Sequence, residues 1–238
     1  MAACGIDYRE PLIIARPQKL TRRLRPQLER LPIFPLYRVQ LFPRALLPLY
    51  IFEPRYRELT AHCLQSGGTM AIASLLPGFR EDYQGRPPIR RTAGVGRIVA
   101  HRQNPDGTYN ILLFGMARIR IEQELPPTAS FREVQAQQLF DHWPSRYDAQ
   151  AGARTLTALV QKLAVLLPKG GAALGELTKM ARTPGELTDV LAASLLTEPK
   201  LRLRLLHMCD VSQRIDLVSD SLMRLIGELQ TTPPTERN

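Results

Sequence analysis

Residues 31–57, LPIFPLYRVQLFPRALLPLYIFEPRYR, decide the fold of this 238-residue chain. Two short apolar runs, residues 33–39 and 46–52, flank a Leu-Phe-Pro turn, and Pro54 follows them. Proline cannot donate a hydrogen bond to a neighbouring strand, so prolines inside such runs indicate edge strands or strand ends. In the first turn of a helix, the N–H group that proline lacks would have no partner within the helix in any case. The segment therefore predicts the order strand, turn, strand, helix.

A mostly two-residue alternation of apolar and polar residues continues to about residue 140. One helix is predicted over residues 54–65. Strands are predicted at residues 69–76, 93–102, 108–114, 117–122 and 131–140. The sequence NPDG at 104–107 is typical of a type I turn, and Gly115 interrupts the pattern where a strand would bend or bulge. These elements predict a small, mostly antiparallel β-barrel.

After Trp143 and Pro144 the apolar period becomes helical. A first helix has one apolar face, made of Leu156, Leu159, Val160, Leu163 and Leu167. Thr183 is predicted to be the N-cap of a later helix that begins at Pro184. The last apolar stripe steps alternately by four and three through Val211, Ile215, Val218, Leu222, Leu225 and Leu229. Two interpretations of it stay open, a long helix docked on the preceding helices and a dimerising coiled coil.

The predicted fold class is therefore α+β, with four segments. They are a basic N-terminal arm (1–30), the β-barrel (31–140), a helical bundle or subdomain (141–230) and a polar tail (231–238). The arm is expected to be a solvated extension that packs loosely on the domain, because it mixes basic residues and prolines without a sustained apolar period. A functional tail is the alternative.

Composition places the chain among ordinary globular proteins, with 44% hydrophobic and 23% charged residues. No apolar run approaches the roughly 20 residues that cross a bilayer, so no membrane partner is expected. The N-terminus lacks the pattern of a secretory signal. Cys4, Cys63 and Cys209 are odd in number and far apart, which indicates reduced thiols and a cytoplasmic setting.

Signatures of catalysis are missing from the sequence. There is no G-x-x-x-x-G-K-[ST] loop, no G-x-S-x-G elbow and no H-E-x-x-H motif, so neither an ATPase nor a hydrolase is expected. The four histidines, at 62, 101, 142 and 207, do not have metal-ligand spacing. We therefore expect no catalytic residues, no metal and no cofactor, and we interpret the chain as non-enzymatic.

The opening segment resembles the start of the Lon protease N-terminal, substrate-binding domain. The sequence DGTY (106–109), followed by LLFG (112–115) and RIRI (118–121), looks like the central hairpin of that family. The likeness extends over roughly residues 31–230. Tyr50, Arg44 and Ile119 depart from the family pattern, which usually has His, often Gly and commonly an aromatic residue at these places. The resemblance implies a PUA-like barrel followed by a helical bundle, in a stand-alone module that lacks the ATPase and peptidase domains.

That resemblance implies non-catalytic recognition of unfolded or client polypeptides, with a protease or chaperone as a further partner. The candidate peptide contacts are Tyr37, Leu41, Phe42, Phe79 and Tyr83. Phe79 and Tyr83 are favoured, because a polar loop has little use for two aromatic residues unless they pack or bind. For Phe42 an alternative stays open, a core side chain that closes one end of the barrel.

A second hypothesis follows from the net charge of +10 and from the RNA-binding PUA folds of other families. A basic face on the barrel would be formed by Arg90, Arg91, Arg97, Arg102, Arg118 and Arg120. Against RNA, the strands lack the aromatic and basic pattern that stacks bases. A third hypothesis is a regulatory or scaffold subunit whose partner docks on the helical half.

Overall fold

The protein was analysed as a computed structural model, which describes residues 13–14, 24–143, 149–167 and 171–231. The chain divides into two compact units, Met1–Leu139 and Phe140–Asn238. Most of the predicted N-terminal arm and nearly all of the predicted polar tail lie outside the described residues.

The described part of unit 1 contains seven strands and two α-helices. In chain order they are β1 (Ile13–Ile14), α1 (Arg25–Leu28), β2 (Leu31–Leu36), β3 (Leu46–Ile51), α2 (Pro54–Gln65), β4 (Thr69–Leu75), β5 (Ile89–Gln103), β6 (Tyr109–Glu124) and β7 (Arg132–Leu139). A short 3₁₀-helix, Phe79–Asp82, lies in the loop between β4 and β5.

Helix α2 has the bounds that the sequence predicts. Pro54 occupies its first turn, where no N–H is required. Its buried face consists of Tyr56, Leu59, Thr60 and Cys63. Gly67 and Gly68 follow with φ values of 99° and 79°, a left-handed backbone that ends the helix.

The described strands form one mixed sheet in the order β1-β5-β4-β2-β7-β6-β3, and β5 also pairs with β6. Six pairings are antiparallel, whereas β2 and β4 are parallel, with Ile33 opposite Ala71. The parallel pair arises because β3 and α2 lie between these strands, a connection long enough to bring the chain back in the same direction. The structure thus has a mixed sheet with helices where the sequence predicted a mostly antiparallel barrel.

Two apolar clusters stabilise unit 1 on opposite faces of its central strands. In β4, Met70 and Ile72 belong to one cluster, and Ala71 and Ala73 belong to the other. This division follows from strand geometry, in which successive side chains point to opposite faces. The buried face of α2 completes the first cluster.

The chain enters the core earlier than the predicted arm boundary at residue 30. Leu24 and Leu28 are buried in the second cluster, beside Leu31 and Ile33 of β2. Strand β1 also pairs with β5. The expectation of a solvated arm therefore does not hold for these residues, because helix α1 gives Leu24 and Leu28 the four-residue spacing of one helical face.

Glycines on β5 and β6 allow the segment between β2 and β3 to lie in the interior of unit 1. A Cβ at Gly94 would lie 1.9 Å from the carbonyl oxygen of Leu41, and a Cβ at Gly115 would lie 1.9 Å from that of Phe42. Only glycine permits such an approach. The register of β6 against β5 shifts beside Gly115, so the predicted bulge is confirmed, although β6 continues through it as one strand.

Local sequence signals elsewhere also predicted the backbone correctly. The predicted turn at 104–107 is confirmed, since the N–H of Gly107 donates to the carbonyl oxygen of Asn104 at 2.9 Å. Thr183 is confirmed as an N-cap, because its hydroxyl oxygen accepts a hydrogen bond from the N–H of Glu186 at 3.2 Å. Both features depend on residues within one turn of the chain.

The described part of unit 2 consists of helices. They are α3 (Ala149–Leu166), α4 (Gly171–Met180), α5 (Pro184–Leu195), α6 (Pro199–His207) and α7 (Val211–Thr231). Helix α7 packs against α3 and α5, which supports the docked-helix interpretation of its apolar stripe. The stripe ends on buried Ile226, with the predicted Leu225 only half-buried. None of the helices in the described ranges combines the length and the apolar character that crossing a membrane requires.

Arg214 of α7 is fully buried in unit 2 and holds several segments together. It donates to both carboxylate oxygens of Asp141 at 2.7 and 2.6 Å, to the Thr188 hydroxyl at 3.0 Å and to the Met208 carbonyl oxygen at 2.9 Å. Burial by itself would lower the pKa of Arg214, but the hydrogen bond with Asp141 and the charge of Asp189 outweigh it and the pKa is raised. Three segments of unit 2, at Asp141, Thr188 and Met208, thus supply the partners that compensate the buried cation.

Replacing Gly115 by alanine is expected to destabilise unit 1 by about 1–3 kcal/mol, because the added methyl group would overlap the Phe42 carbonyl oxygen. Gly227 in α7 provides the matched control, since beyond its chain neighbours and the nearby backbone of its own helix no heavy atom lies within 4 Å of where its Cβ would be. Gly227→Ala is expected to stabilise the protein by about 0.5–1 kcal/mol through helix propensity. Urea unfolding followed by circular dichroism measures both. A Gly115→Ala variant with wild-type stability would contradict the close approach.

Candidate functional site

The loop between β4 and β5 is held against the start of α2 by aromatic rings and an arginine. The ring centroids of Tyr37 and Phe79 are 4.8 Å apart, and those of Phe79 and Tyr83 are 6.1 Å apart. Arg55 lies over the Tyr83 ring at 4.9 Å and donates to the Tyr83 carbonyl oxygen at 3.0 Å. The structure therefore brings together three of the five predicted peptide contacts.

Glu53 completes this cluster. The Tyr83 hydroxyl donates to its Oε1 at 2.6 Å, and the Arg55 guanidinium donates to its Oε2 at 3.2 and 3.1 Å. Burial, and next the hydrogen bond to Glu53, raise the pKa of Tyr83, so this hydroxyl stays a donor at neutral pH. Phe79 is only 7% exposed and Tyr83 is half-buried. The two favoured aromatic residues thus pack within unit 1, and Tyr37, at 36%, is the exposed member of the cluster.

Leu41 and Phe42 are buried, as their approach to the glycines of β5 and β6 requires. Neither side chain is presented at the surface, so the expectation that they contact a peptide finds no support in their position. For Phe42 the interior position fits the alternative of a core side chain.

The six arginines of the RNA hypothesis do not share one face. Gly94 and Gly96 both face Leu41, so Arg97, the next residue of β5, points to the opposite side. Arg118 pairs with Gly94 and therefore lies on the Leu41 side, where it is 3% exposed. The remaining four divide into a half-buried pair and an exposed pair: Arg90 with Arg102, and Arg91 with Arg120.

The outer face of β3 carries exposed apolar side chains that sequence analysis did not select. Leu46, Tyr50 and Phe52 are 51%, 40% and 59% exposed, and Pro48 between them is also exposed. The rings of Tyr50 and Phe52 stack with their centroids 6.0 Å apart. We call Leu46, Pro48, Tyr50 and Phe52 the edge strip. A signal for it was present in the sequence, because residues 46–52 are apolar at both alternating positions around a proline.

Strand β3 lies at the edge of the sheet, and β6 is its only partner among the described strands. The N–H of Gly115 donates to the carbonyl oxygen of Ala45 at 2.8 Å. Hydrogen bonding in an antiparallel ladder alternates every two residues, so the main-chain groups of residues 47, 49 and 51 bond to β6 and those of residues 46, 48 and 50 point away from it. Pro48, which has no N–H, occupies one of these outward positions, as proline in a strand should.

The face of the edge strip continues across β6 onto β5. Residues directly opposite each other in paired strands share a face. Two such rows cross the three strands: Leu46, Phe114 and Arg97, and Tyr50, Asn110 and Arg102. Arg44, just before β3, lies with its Cζ 5.3 Å from the Phe114 ring centroid. The surface is therefore apolar along the sheet edge and basic behind it.

Cys63 is unsuited to nucleophilic catalysis. It is fully buried in α2, and its S–H donates to the Thr69 carbonyl oxygen at 3.3 Å. Burial raises the pKa of this thiol to about 12. Among the described ranges, no group of three or more His, Cys, Asp and Glu side chains is placed to hold a metal ion.

Comparison with known proteins gives a consistent match. The model of the ATP-dependent protease La (LON) substrate-binding domain family matches residues 30–224. Lon protease 2 of Myxococcus xanthus is 26% identical over 215 residues, which cover 90% of this chain and 26% of that protein. The Lon protease of Roseiflexus castenholzii is 29% identical over 201 residues, or 82% of this chain and 24% of that protein. The chain thus spans about a quarter of the length of these curated relatives.

Two solved structures share the fold. A Lon N-terminal domain protein from Xanthomonas campestris superposes with a TM-score of 0.56 at 21% identity, covering 86% of this chain and 99% of that chain. The N-terminal domain of Mycobacterium avium complex Lon protease superposes with a TM-score of 0.60 at 16% identity, covering 82% of this chain and 98% of that chain.

Cys63 is expected to resist iodoacetamide at mildly alkaline pH, whereas the half-buried Cys209 reacts, because the Cys63 thiol is both protonated and inaccessible. Peptide mass spectrometry measures the labelling, and unfolding in urea should abolish the difference. The folded-state pKa lies above the ordinary value of 9.0. The stability that depends on this thiol is therefore fully present below about pH 9 and is lost as the pH rises towards 12. Equal native labelling of both cysteines would contradict this assignment.

Proposed function

The chain belongs to the ATP-dependent protease La (LON) substrate-binding domain family, and on that premise we propose that it binds unfolded or client polypeptides without cleaving them. The observation that carries this proposal is the edge strip. Unfolded chains differ from folded ones by exposing apolar side chains, and exposed apolar patches rimmed by polar groups are typical of protein-binding surfaces. Leu46, Tyr50 and Phe52 form such a patch on a strand that leaves one edge free.

Aromatic side chains suit this task, because they contribute large contact areas at low cost in conformational entropy. Tyr50 and Phe52 are stacked on each other, so their rings are partly ordered before a ligand arrives. Preorganisation of this kind reduces the entropy lost on binding. Within the predicted set we retain Tyr37 as a second contact, since it is exposed and the Arg38 guanidinium lies 4.9 Å from its ring centroid.

Phe79 and Tyr83 have a supporting role in this proposal. Their packing with Arg55 and Glu53 fixes the loop between β4 and β5, and Phe79 of that loop contacts Tyr37. Their loss would therefore act on binding indirectly, through the position of that loop.

The matched family region is the substrate-binding domain alone, which favours a binding role. We propose that a protease or a chaperone receives the bound polypeptide, in keeping with the relatives that carry the name Lon protease. Cys63 and Cys209 are free thiols, which fits the cytoplasmic setting that we propose.

RNA remains the competing ligand for the basic residues of β5 and β6. A phosphate backbone would need arginines that share one exposed face, and here Arg97 and Arg118 lie on opposite faces. We therefore favour polypeptide. Titration with single-stranded RNA at two salt concentrations separates the alternatives, because each neutralised phosphate steepens the salt dependence.

Changing Leu46, Tyr50 and Phe52 together to serine is expected to weaken binding of reduced, carboxymethylated α-lactalbumin about tenfold or more, equivalent to about 1.4 kcal/mol or more. This protein is a suitable probe because it cannot refold. Fluorescence anisotropy of the labelled probe measures the affinity, and native α-lactalbumin should not compete.

The matched control is Val165→Ser with Met223→Ser in unit 2, two apolar residues that are 87% and 51% exposed. This variant should bind as the wild type does. Equal weakening in both variants would mean that general hydrophobicity matters and the edge strip does not. A wild-type protein that ignores the unfolded probe would refute the proposed function itself.

A further inference from the structure

We propose that the ligand joins the sheet as an extra strand along the free edge of β3, and that acidic segments with apolar side chains at alternate positions are preferred. This inference rests on the proposed function, because it specifies how the edge strip would hold a polypeptide. It commits to one kind of occupant, an extended segment of another chain.

Main-chain groups along β3 are placed for strand addition. The bond from the Gly115 N–H to the Ala45 carbonyl oxygen fixes the phase of the ladder. Residues 46, 48 and 50 consequently direct their carbonyl oxygens to the free edge, and residues 46 and 50 also direct their N–H groups there. An added strand would satisfy these groups, as in other peptide complexes that extend a sheet. Pro48 supplies no N–H, so one ligand carbonyl group receives no donor from β3.

The side chains of the edge strip impose a two-residue period on the ligand. Leu46, Pro48, Tyr50 and Phe52 lie at every second position, on the same outer face. Side chains of directly opposed residues in neighbouring strands lie about 5 Å apart, close enough to pack. A ligand with apolar residues at alternate positions would therefore bury them on the edge strip and leave the intervening residues for the other face.

The strand segments around the edge strip carry no acidic residue, and Glu53, which follows Phe52, is already bound by Arg55 and Tyr83. Residues 46–51, 96–103 and 109–116 contain no acidic residue. Arg97 and Arg102 lie on the outer face of β5, two strands from the free edge of β3. Strands are separated by about 4.8 Å, so the main chain at these arginines lies about 10 Å from β3 and about 14 Å from an added strand. At low salt, where the Debye length exceeds that distance, these cations attract a ligand through their field instead of direct ion pairs.

A further cation lies close to this face. Arg44 stands at the start of β3 with its guanidinium over the Phe114 ring. Complementary charge of this kind raises association rates and selects partners, and salt weakens it.

The decisive experiment uses fluorescein-labelled synthetic peptides that alternate leucine and aspartate. Two N-methylated versions are compared with the parent peptide, one methylated at every leucine and the other at every aspartate. N-methylation removes main-chain donors from alternate positions, and only one of the two sets faces β3 in an added strand. One version should bind about tenfold more weakly than the parent and the other should bind similarly. Equal binding by both, or equal loss by both, would overturn strand addition.

A pair of variants at Tyr50 tests the main-chain hydrogen bonds between β3 and the ligand from the protein side. Tyr50→Ala removes the ring and keeps the outward N–H, whereas Tyr50→Pro removes both. Proline is tolerated at an outward edge position, so both variants should fold, and circular dichroism checks this. Tyr50→Pro should bind the parent peptide several-fold more weakly than Tyr50→Ala. Equal affinities would mean that this N–H makes no bond to the ligand.

The preference for acidic segments is tested with a peptide that alternates leucine and lysine, and with the double variant Arg97→Gln/Arg102→Gln. The aspartate peptide should bind the wild type more tightly at low salt, and the advantage should shrink in the double variant and at high salt. An unchanged preference in the double variant would remove these arginines from the proposal.

Failure of this inference is distinguishable from failure of the proposed function. If unfolded α-lactalbumin binds through the edge strip but the N-methylated peptides bind alike, polypeptide recognition stands and strand addition falls. The free edge could instead pair with a second copy of this chain. Sedimentation equilibrium at the binding concentrations should show a monomer, and a dimer that Tyr50→Pro dissociates would overturn the proposal.

Discussion

The close approach of the chain at Leu41 and Phe42 to glycines on β5 and β6 is the constraint on which the candidate site depends. Because Gly115 has no Cβ, the Phe42 carbonyl group can lie against it, and the chain then turns so that the Gly115 N–H bonds to Ala45. That bond fixes which residues of β3 form main-chain hydrogen bonds to β6 and which direct these groups outward. Core packing and surface chemistry are thereby linked, since a shift of one residue would bury the edge strip and expose Leu47 and its neighbours.

The turn before β3 shows the conformational cost of one departure from the family pattern. Arg44 has a φ of 66°, in the left-handed region that favours glycine. A glycine there, common in the family that this chain resembles, would meet the backbone requirement without strain. This chain keeps arginine at a conformational cost of about 1 kcal/mol. Its guanidinium lies over Phe114, next to the edge strip, so the strained position places a cation beside an apolar surface.

Two pairs of aromatic residues differ in burial from what their sequence surroundings indicate. Phe79 and Tyr83 stand in a polar loop, and sequence analysis favoured them as contacts. In the structure Tyr37, Arg55 and Glu53 engage them, so they brace the loop. Tyr50 and Phe52 stand in an apolar run that sequence analysis predicted as an edge strand without selecting it as a site, and both are exposed. An aromatic residue in a polar loop is therefore a weaker indication of an exposed side chain than an apolar residue on the outer face of an edge strand.

The sequence by itself determined the features that depend on a few neighbouring residues. The bounds of α2, the turn at 104–107, the N-cap at Thr183 and the bulge at Gly115 follow from backbone preferences within one turn, and the motifs along the chain identified the family. The tertiary structure alone decided the parallel pairing of β2 with β4, the burial of Phe79 and the division of the arginines between two faces. These features depend on contacts between residues far apart in the chain, and alternation within one strand does not reveal which of its faces the rest of the protein will cover.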